Sequence, residues 1–299
     1  MILPNSFNPK IPEIYQLEVT NACNFSCGFC VRDLYKRKPV NLDLELAKKI
    51  SERDIAGSYF IEFQLSGEPL LHPNLSTIVD YFKGKVITGL STNGNLIHKQ
   101  LDAICKLDYL TISMDSIDDY QDLRKGGNSK QLVDNIDLLM SKRPSSLTID
   151  FQVIELNEFS TNVQKNIDDI KELIHEKKWD VNFRTVPDCF LGTRGVMEVD
   201  NGELCLNPWL SVSLQSDGDV VPCCFSFGKN VVYGNLNDDS LKNIWNNSLE
   251  RKELQHQHLT KQYNSLCSHC YMRSPVILHE NIFKKTMKDK LKRMGRIYG

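Results

Sequence analysis

The sequence predicts an α/β fold: a parallel sheet, open or curled into a partial barrel, followed by a smaller cysteine-bearing module. Three observations predict it. Short β-rich runs alternate with helical patterns six times over the first 187 residues, which reads as βα units on a parallel sheet. A tight cysteine loop, Cys23-Asn-Phe-Ser-Cys27-Gly-Phe-Cys30, follows the first of these runs. Near residue 188 the alternation stops in a stretch rich in Gly, Pro and Asp, and a second set of cysteines begins at Cys205.

In chain order, the strand-like runs are Ile14–Val19, Phe60–Leu65, Lys85–Leu90, Tyr109–Met114, Leu147–Ile154 and Val181–Val186. The helical patterns between them are Leu42–Ile55, Leu75–Phe82, Ile97–Lys106, Gln131–Met140 and Val163–Lys178. In the last of these, Val163, Ile167, Ile170 and Ile174 recur near the helical period. Asp217-Gly218 lies between two alternating β runs and predicts a tight hairpin turn. The expected division is 1–187 for the sheet domain, 188–275 for the cysteine module and 276–299 for a basic C-terminal helix. In that helix Phe283, Met287, Leu291 and Met294 recur at helical spacing.

With 299 residues, the chain is long enough for a sizeable core. A formal net charge of -2 argues against a general nucleic-acid or membrane binder, leaving RNA or membrane contact by the basic tail as a secondary option. No apolar run approaches the ~18 residues that span a bilayer. The start Met1-Ile-Leu-Pro-Asn lacks the features of a signal peptide, so the ten cysteines read as reduced thiols or metal ligands of a cytoplasmic protein.

Three thiolates so close together hold three corners of an iron–sulfur cube and leave one iron open to a small molecule. Zinc and a disulfide are the alternatives, and nothing near the loop completes a zinc motif. Active sites on parallel sheets gather at the carboxyl ends of the strands, where this loop would sit. Later strands end in Ser66-Gly67-Glu68-Pro69, Ser91-Thr-Asn93-Gly94 and Ser113-Met-Asp115, with Gln152 and Val153 on the fifth. Asn93, Ser113 and Asp115 are candidate contacts for ribose hydroxyls or a ligand carboxylate, against a plain turn or capping role. Arg184, at the end of the sixth strand, is placed to orient a hydroxyl-bearing or carboxylate substrate, against a salt bridge at the rim.

The predicted hairpin folds Cys205 and Cys223 toward one end, and Cys267 and Cys270 then complete a four-thiolate site, for iron–sulfur or for zinc. Such a closed site is structural or carries electrons. Cys224 is left over, as a buried hydrophobe or a hydrogen-atom donor. Cys105 and Cys189 read as ordinary small residues, and His256, His258 and His269 as surface residues.

The C-x3-C-x2-C spacing, with Phe29 before its last cysteine, closely resembles the radical S-adenosylmethionine (SAM) superfamily. The second cysteine set resembles the shortened "twitch" form of its SPASM branch, with one auxiliary cluster. The resemblance spans about residues 13–275 and implies a partial (β/α)6 barrel with a C-terminal auxiliary-cluster module. It implies two 4Fe-4S clusters, on Cys23, Cys27 and Cys30 and on Cys205, Cys223, Cys267 and Cys270. SAM would be held by Phe29, Ser66, Gly67, Glu68, Asn93, Ser113, Asp115 and Gln152. Ser66-Gly67-Glu68 matches the Gly-Gly-Glu-type motif for the SAM amino group, with Ser66 in place of the first Gly. Arg124 also matches a recurring position, with a solvated Arg as the alternative.

Family members cleave SAM reductively to a 5′-deoxyadenosyl radical that abstracts hydrogen from substrate, fed by a reductase such as flavodoxin or ferredoxin. Members with one auxiliary cluster include aminocyclitol dehydrogenases, in which that cluster takes the second electron. The expectation is therefore oxidation of a sugar or aminocyclitol hydroxyl, with Arg184 and Cys224 as candidate catalytic residues. The alternative is a peptide-modifying enzyme, an epimerase or maturase using Cys224 as hydrogen donor. With the cysteine loop at residue 23 leaving no room for the N-terminal peptide-recognition domain of many peptide modifiers, a small substrate is preferred to a short peptide. A non-catalytic iron–sulfur or zinc protein is the reading from another class.

Overall fold

The computed structural model describes residues 10–188 and 205–270, apart from 36, 227, 229 and 269. Cys189, His269 and the basic tail 276–299 lie outside the described residues.

Six strands, β1 (Ile14–Leu17), β2 (Phe60–Phe63), β3 (Ile87–Thr92), β4 (Tyr109–Ser113), β5 (Thr148–Glu155) and β6 (Asn182–Pro187), pair in parallel, each with its sequence neighbour. They are joined by α1 (Leu44–Lys49), α2 (Leu75–Phe82), α3 (Leu101–Cys105), α4 (Tyr120–Leu123), α5 (Ser129–Lys142) and α6 (Val163–Lys177). The alternation within the strands explains the two faces. Ile61, Phe63, Leu90, Leu110, Ile112, Ile149, Phe151 and Val153 belong to one apolar core that includes Leu75, Ile78, Leu132, Ile136 and Ile170 of the helices. The opposite face carries Glu62, Ser91, Thr111, Ser113, Gln152 and Arg184, since side chains two apart share a face.

The sheet is curled. In a flat sheet β2 and β6 would lie about 19 Å apart, four strand spacings of about 4.8 Å. Yet the charge of Arg184 on β6 acts on Glu62 of β2, and its guanidinium reaches Thr111 Oγ1 of β4 at 3.4 Å. The polar face is therefore concave, the lumen of a partial barrel.

The expected elements are present, with shifts at their ends. The long helix expected over 42–55 is α1, capped by the Asp43 carboxylate, running into a wider π turn at Ile50–Asp54. The pattern over 97–106 is a 3-10 turn, Ile97–Lys99, followed by α3.

The C-terminal part comprises α7 (Asn207–Leu210), β7 (Ser211–Leu214), β8 (Asp219–Val221), β9 (Gly234–Asn235), α8 (Leu241–Asn247), α9 (Leu249–Thr260) and α10 (Ser265–Ser268). The hairpin turn falls at Asp217-Gly218, with Gly218 at φ +94°, where a side chain would be strained and its Cβ would meet Asn237. The hairpin is not set apart from the barrel. β7 pairs in parallel with β1, from Ile14↔Ser211 to Leu17↔Leu214, so one sheet runs β6-β5-β4-β3-β2-β1-β7-β8-β9. His258, expected at the surface, is buried between the ring edges of Trp209 and Tyr263, because it lies on the face of α9 that packs on α7.

Candidate radical SAM site

Cys23, Cys27 and Cys30 occupy the loop just beyond the carboxyl end of β1, Cys30 exposed and the other two half-buried. The loop is fixed from several sides. Phe25 is buried and meets Tyr120 edge-to-face. The Ser26 N–H donates to the Lys125 carbonyl at 2.8 Å, and Arg32 donates to the Phe25 carbonyl at 3.1 Å. Gly126 lies against Asn24 with φ +99°, where a Cβ would come within 2.9 Å of the Asn24 carbonyl oxygen.

Cys23 and Cys30 lie close enough to Cys27 for their charges to act on its ionisation. Burial pushes Cys27 up to about 11, with Arg124 opposing and Cys30 and Cys23 adding to the rise. Cys23 is raised by burial too, while the Phe25 N–H at 3.4 Å from its sulfur works against the rise. Among the described residues no three Cys, His, Asp or Glu side chains are drawn together closely enough to enclose a single metal ion, so a cluster on these thiols would have to displace their protons as it binds.

The tip of β2 is laid against this loop. The Glu68 N–H donates to the Ala22 carbonyl at 2.8 Å, and a Cβ on Gly67 would lie 2.1 Å from the Thr20 carbonyl oxygen and 2.6 Å from that of Ala22. Only glycine fits there. Ser66 donates its hydroxyl to Glu18, a fully buried carboxylate that also takes a two-pronged ion pair from Arg37, at 2.8 Å to each oxygen.

Several expected ligand contacts are revised. Glu68 was expected to accept from an ammonium, but its buried carboxylate already accepts from Leu70 N, Thr92 Oγ1 and Asn93 N at 2.7–3.0 Å, tying the tips of β2 and β3. Asp115 is likewise committed: one oxygen takes Arg124 at 2.6 and 2.7 Å, the other the Ile154 N–H at 2.8 Å. Arg124 itself is buried rather than solvated, stacked 5.3 Å over the Phe29 ring. Burial lowers its proton affinity, but Asp115 and the nearby Cys27 outweigh that and keep it charged. The Phe29 ring packs in a small apolar cluster with Leu123 and Leu156.

Other candidates do come together. Ser113, Gln152 and Arg184 are register partners across β4, β5 and β6 and form a row on the concave face. Asn93 donates to Asn24 Oδ1 of the cysteine loop at 3.0 Å, linking the tip of β3 to that loop. Among the described residues Arg184 makes no salt bridge, so the rim ion pair does not form.

Around the second cysteine set, Tyr233 is buried, its hydroxyl has no hydrogen-bond partner, and its ionisation is suppressed first by burial and then by Cys223, Cys267 and Cys205. A buried donor left facing three thiols fits sulfur ligation, which supplies the acceptor it lacks. The Cys270 N–H donates to the Cys267 carbonyl at 3.3 Å, so both follow one turn. Cys224 is half-buried.

Residues 17–154 match the model of the radical SAM superfamily, and residues 205–271 that of the SPASM iron–sulfur cluster-binding domain. The chain carries a radical SAM domain followed by a SPASM iron–sulfur cluster-binding domain. It is similar to the SAM-dependent 2-deoxy-scyllo-inosamine dehydrogenase of Niallia circulans, 25% identical over 87% of this chain and 93% of the relative. It is 24% identical to the subtilosin biosynthesis protein AlbA of Bacillus subtilis, over 86% of this chain and 66% of that protein. A GTP 3′,8-cyclase of Chlorobaculum tepidum is 32% identical, over 40% of this chain and 37% of its own length. Among solved structures, BtrN with AdoMet and 2-DOIA superposes with TM-score 0.56 at 18% identity, covering 91% of this chain and 96% of BtrN, a likeness of fold. The radical SAM and SPASM domains imply SAM and 4Fe-4S clusters.

Three contributors to the site were missed from sequence: Glu18, Asn24 and Glu62. Only Glu62 has a local signal, the alternation Phe60-Ile-Glu62-Phe-Gln64 that places Glu62 and Gln64 on one face.

Proposed function

We propose that this radical SAM enzyme oxidises a hydroxyl of a small sugar or aminocyclitol. The observation that carries the reading is the composition of the concave face, where Ser113, Gln152 and Arg184 form a row of hydroxyl, amide and guanidinium groups. Such a surface satisfies many hydroxyls and offers little to an apolar side chain. The similarity over nearly the whole length of the Niallia circulans dehydrogenase supports the same reading.

In this reading Cys23, Cys27 and Cys30 hold the SAM-binding cluster, and Cys205, Cys223, Cys267 and Cys270 hold an auxiliary cluster that accepts the second electron. SAM, when bound, supplies the 5′-deoxyadenosyl radical that removes hydrogen from the carbinol carbon. Glu68, Asp115 and Arg124 act from behind, fixing the strand tips, while Gly67 and Asn93 face the cofactor and Ser113 and Gln152 line the floor between cofactor and substrate. Arg184 orients the substrate. Flavodoxin or ferredoxin is the class of reductase expected to deliver the first electron.

The test is anaerobic reconstitution, reduction, and incubation with SAM and 2-deoxy-scyllo-inosamine deuterated at its carbinol carbons. Deuterium in 5′-deoxyadenosine together with a ketone product is the expected result. Absence of 5′-deoxyadenosine with every sugar, cyclitol and peptide tried would remove the catalytic reading itself.

The similarity to AlbA supports a second reading, modification of a peptide, in which Cys224 returns a hydrogen atom to the substrate radical. A ketone from a cyclitol rules it out; a product of unchanged mass with inverted stereochemistry supports it.

A further inference from the structure

Most carboxylates around the strand tips are already matched. Glu18 has Arg37, Asp115 has Arg124, and Glu68 has three internal donors. Glu62 stands apart. It projects into the lumen from β2, in register with the neutral Gln16 of β1 and with Gly89 of β3, which has no side chain to cover it. Ser91 donates to one of its oxygens at 2.7 Å and Gln64 to the other at 3.1 Å. Among the described residues it forms no ion pair, and a carboxylate enclosed without one is unusual.

The one charge whose field reaches it is Arg184, from the far side of the lumen. That guanidinium is also under-used. Among the described residues it makes only the long bond to Thr111, and its Nε is buried with no acceptor. A buried donor with no acceptor and a carboxylate with hydrogen bonds but no ion pair, both on the concave face, suit a molecule that both donates and accepts.

We propose that Glu62 and Arg184 are the two halves of a substrate-reading pair. Glu62 accepts a hydrogen bond from one hydroxyl or amine of a small polyhydroxylated ring, and Arg184 donates to another oxygen of the same molecule. The inference rests on the small-polyol reading above and adds a residue and a selection rule to it. A ring that presents an amine or hydroxyl to Glu62 is favoured, and one that presents an anionic group at that end is disfavoured by like charge. Ser91 and Gln64 act as positioning residues, holding the carboxylate at a fixed angle.

Binding is measured by calorimetric titration of 2-deoxy-scyllo-inosamine and scyllo-inositol into the reconstituted, SAM-loaded protein, with SAM affinity and thermal melting followed on the same samples. Glu62→Gln, which keeps the shape and removes the charge, and Arg184→Met are each expected to weaken binding by ~10-fold or more, the scale of a charged hydrogen bond. Ser91→Ala, which leaves both charges in place but removes one hydrogen bond to Glu62, loosens that carboxylate and lowers affinity by a smaller factor. Polyol binding by the unsubstituted protein that survives all three substitutions overturns the pair and leaves the small-polyol reading standing. Failure of the unsubstituted protein to bind either polyol overturns that reading, and this inference with it.

Discussion

Glu18 accepts two hydrogen bonds from Ser216, at 3.0 Å from its N–H and 2.8 Å from its hydroxyl, across 198 residues of chain. Glu18 is the residue after β1, and Ser216 is in the hairpin turn that leads to Cys223. The same carboxylate holds Arg37, beyond the cysteine loop, and Ser66 at the tip of β2. One side chain thus joins the strand before the first cysteine set, the proposed SAM motif and the hairpin that carries part of the second set.

Removing it leaves two serine hydroxyls without their acceptor and Arg37 with only the longer contact to Asp217, at 3.6 Å. Glu18→Ala is expected to cost about 3–5 kcal/mol, the range for breaking one side of a buried ion pair. Chemical denaturation of the reconstituted protein measures it. A loss under about 1 kcal/mol would mean that the network contributes little beyond an exposed pair.

The two cysteine sets should separate chemically. With both loaded, iron and sulfide stand at about eight each per chain. Cys27→Ala is expected to remove about four of each and abolish 5′-deoxyadenosine. Cys205→Ala is expected to remove about four and leave 5′-deoxyadenosine formation while the substrate product disappears. About four iron plus zinc in the unsubstituted protein would contradict an auxiliary electron acceptor.

Gly67→Ala tests the seat of the loop. A methyl 2.1 Å from the Thr20 oxygen forces the tip of β2 away from the cysteine loop. Overpacking of this kind costs about 1–3 kcal/mol, and SAM affinity should fall with it. Gly84→Ala is the control: its Cβ meets nothing within 4 Å, and only the positive φ of +77° is disfavoured, so SAM affinity should hold.

Burial pushes both Glu62 and Glu68 above the ordinary carboxylate range, against their hydrogen bonds. Between the ordinary value of 4.5 and their raised values the folded chain binds more protons than the unfolded chain. Stability contributed by these two groups is therefore fully present at low pH and declines as pH rises through that window. Glu62→Gln should flatten the decline measured by denaturation at successive pH values, and an unchanged slope would count against Glu62 as its source.

Cys224→Ala distinguishes the two chemical outcomes. An oxidation should proceed at close to its original rate, whereas an epimerisation that takes its hydrogen atom from Cys224 should stop. Product analysis by mass and chiral separation reads the difference.

Much of the barrel was legible because its signals are local. Alternation wrote the six strands, and α2 falls on Leu75–Phe82 as its apolar spacing required. Ser113, Gln152 and Arg184 were each candidates from their place at strand ends, but that they stand in one row follows only from the pairing register of β4, β5 and β6. What escaped depends on partners far along the chain. Nothing near Glu18 announces Arg37, Ser66 and Ser216, and nothing near Arg124 announces burial beneath Asp115. Asp115 and Glu68 were read as open acceptors because a carboxylate at a strand tip looks the same in sequence whether a ligand or the protein fills it. The pairing of β7 with β1 was also hidden, since a short β run does not specify its neighbour.

That pairing bears on how the molecule comes to exist. As the chain emerges from the ribosome, β1 is made first, and one of its edges stays bare until Ser211–Leu214 has followed. Closing so long a loop is slow, and a waiting strand edge invites the wrong partner. Nascent chains shorter than about 214 residues should therefore need a chaperone that full-length chains can release. Insertion of iron at the Cys23 loop has its natural moment late, once β7 has been translated and has locked β1 in place.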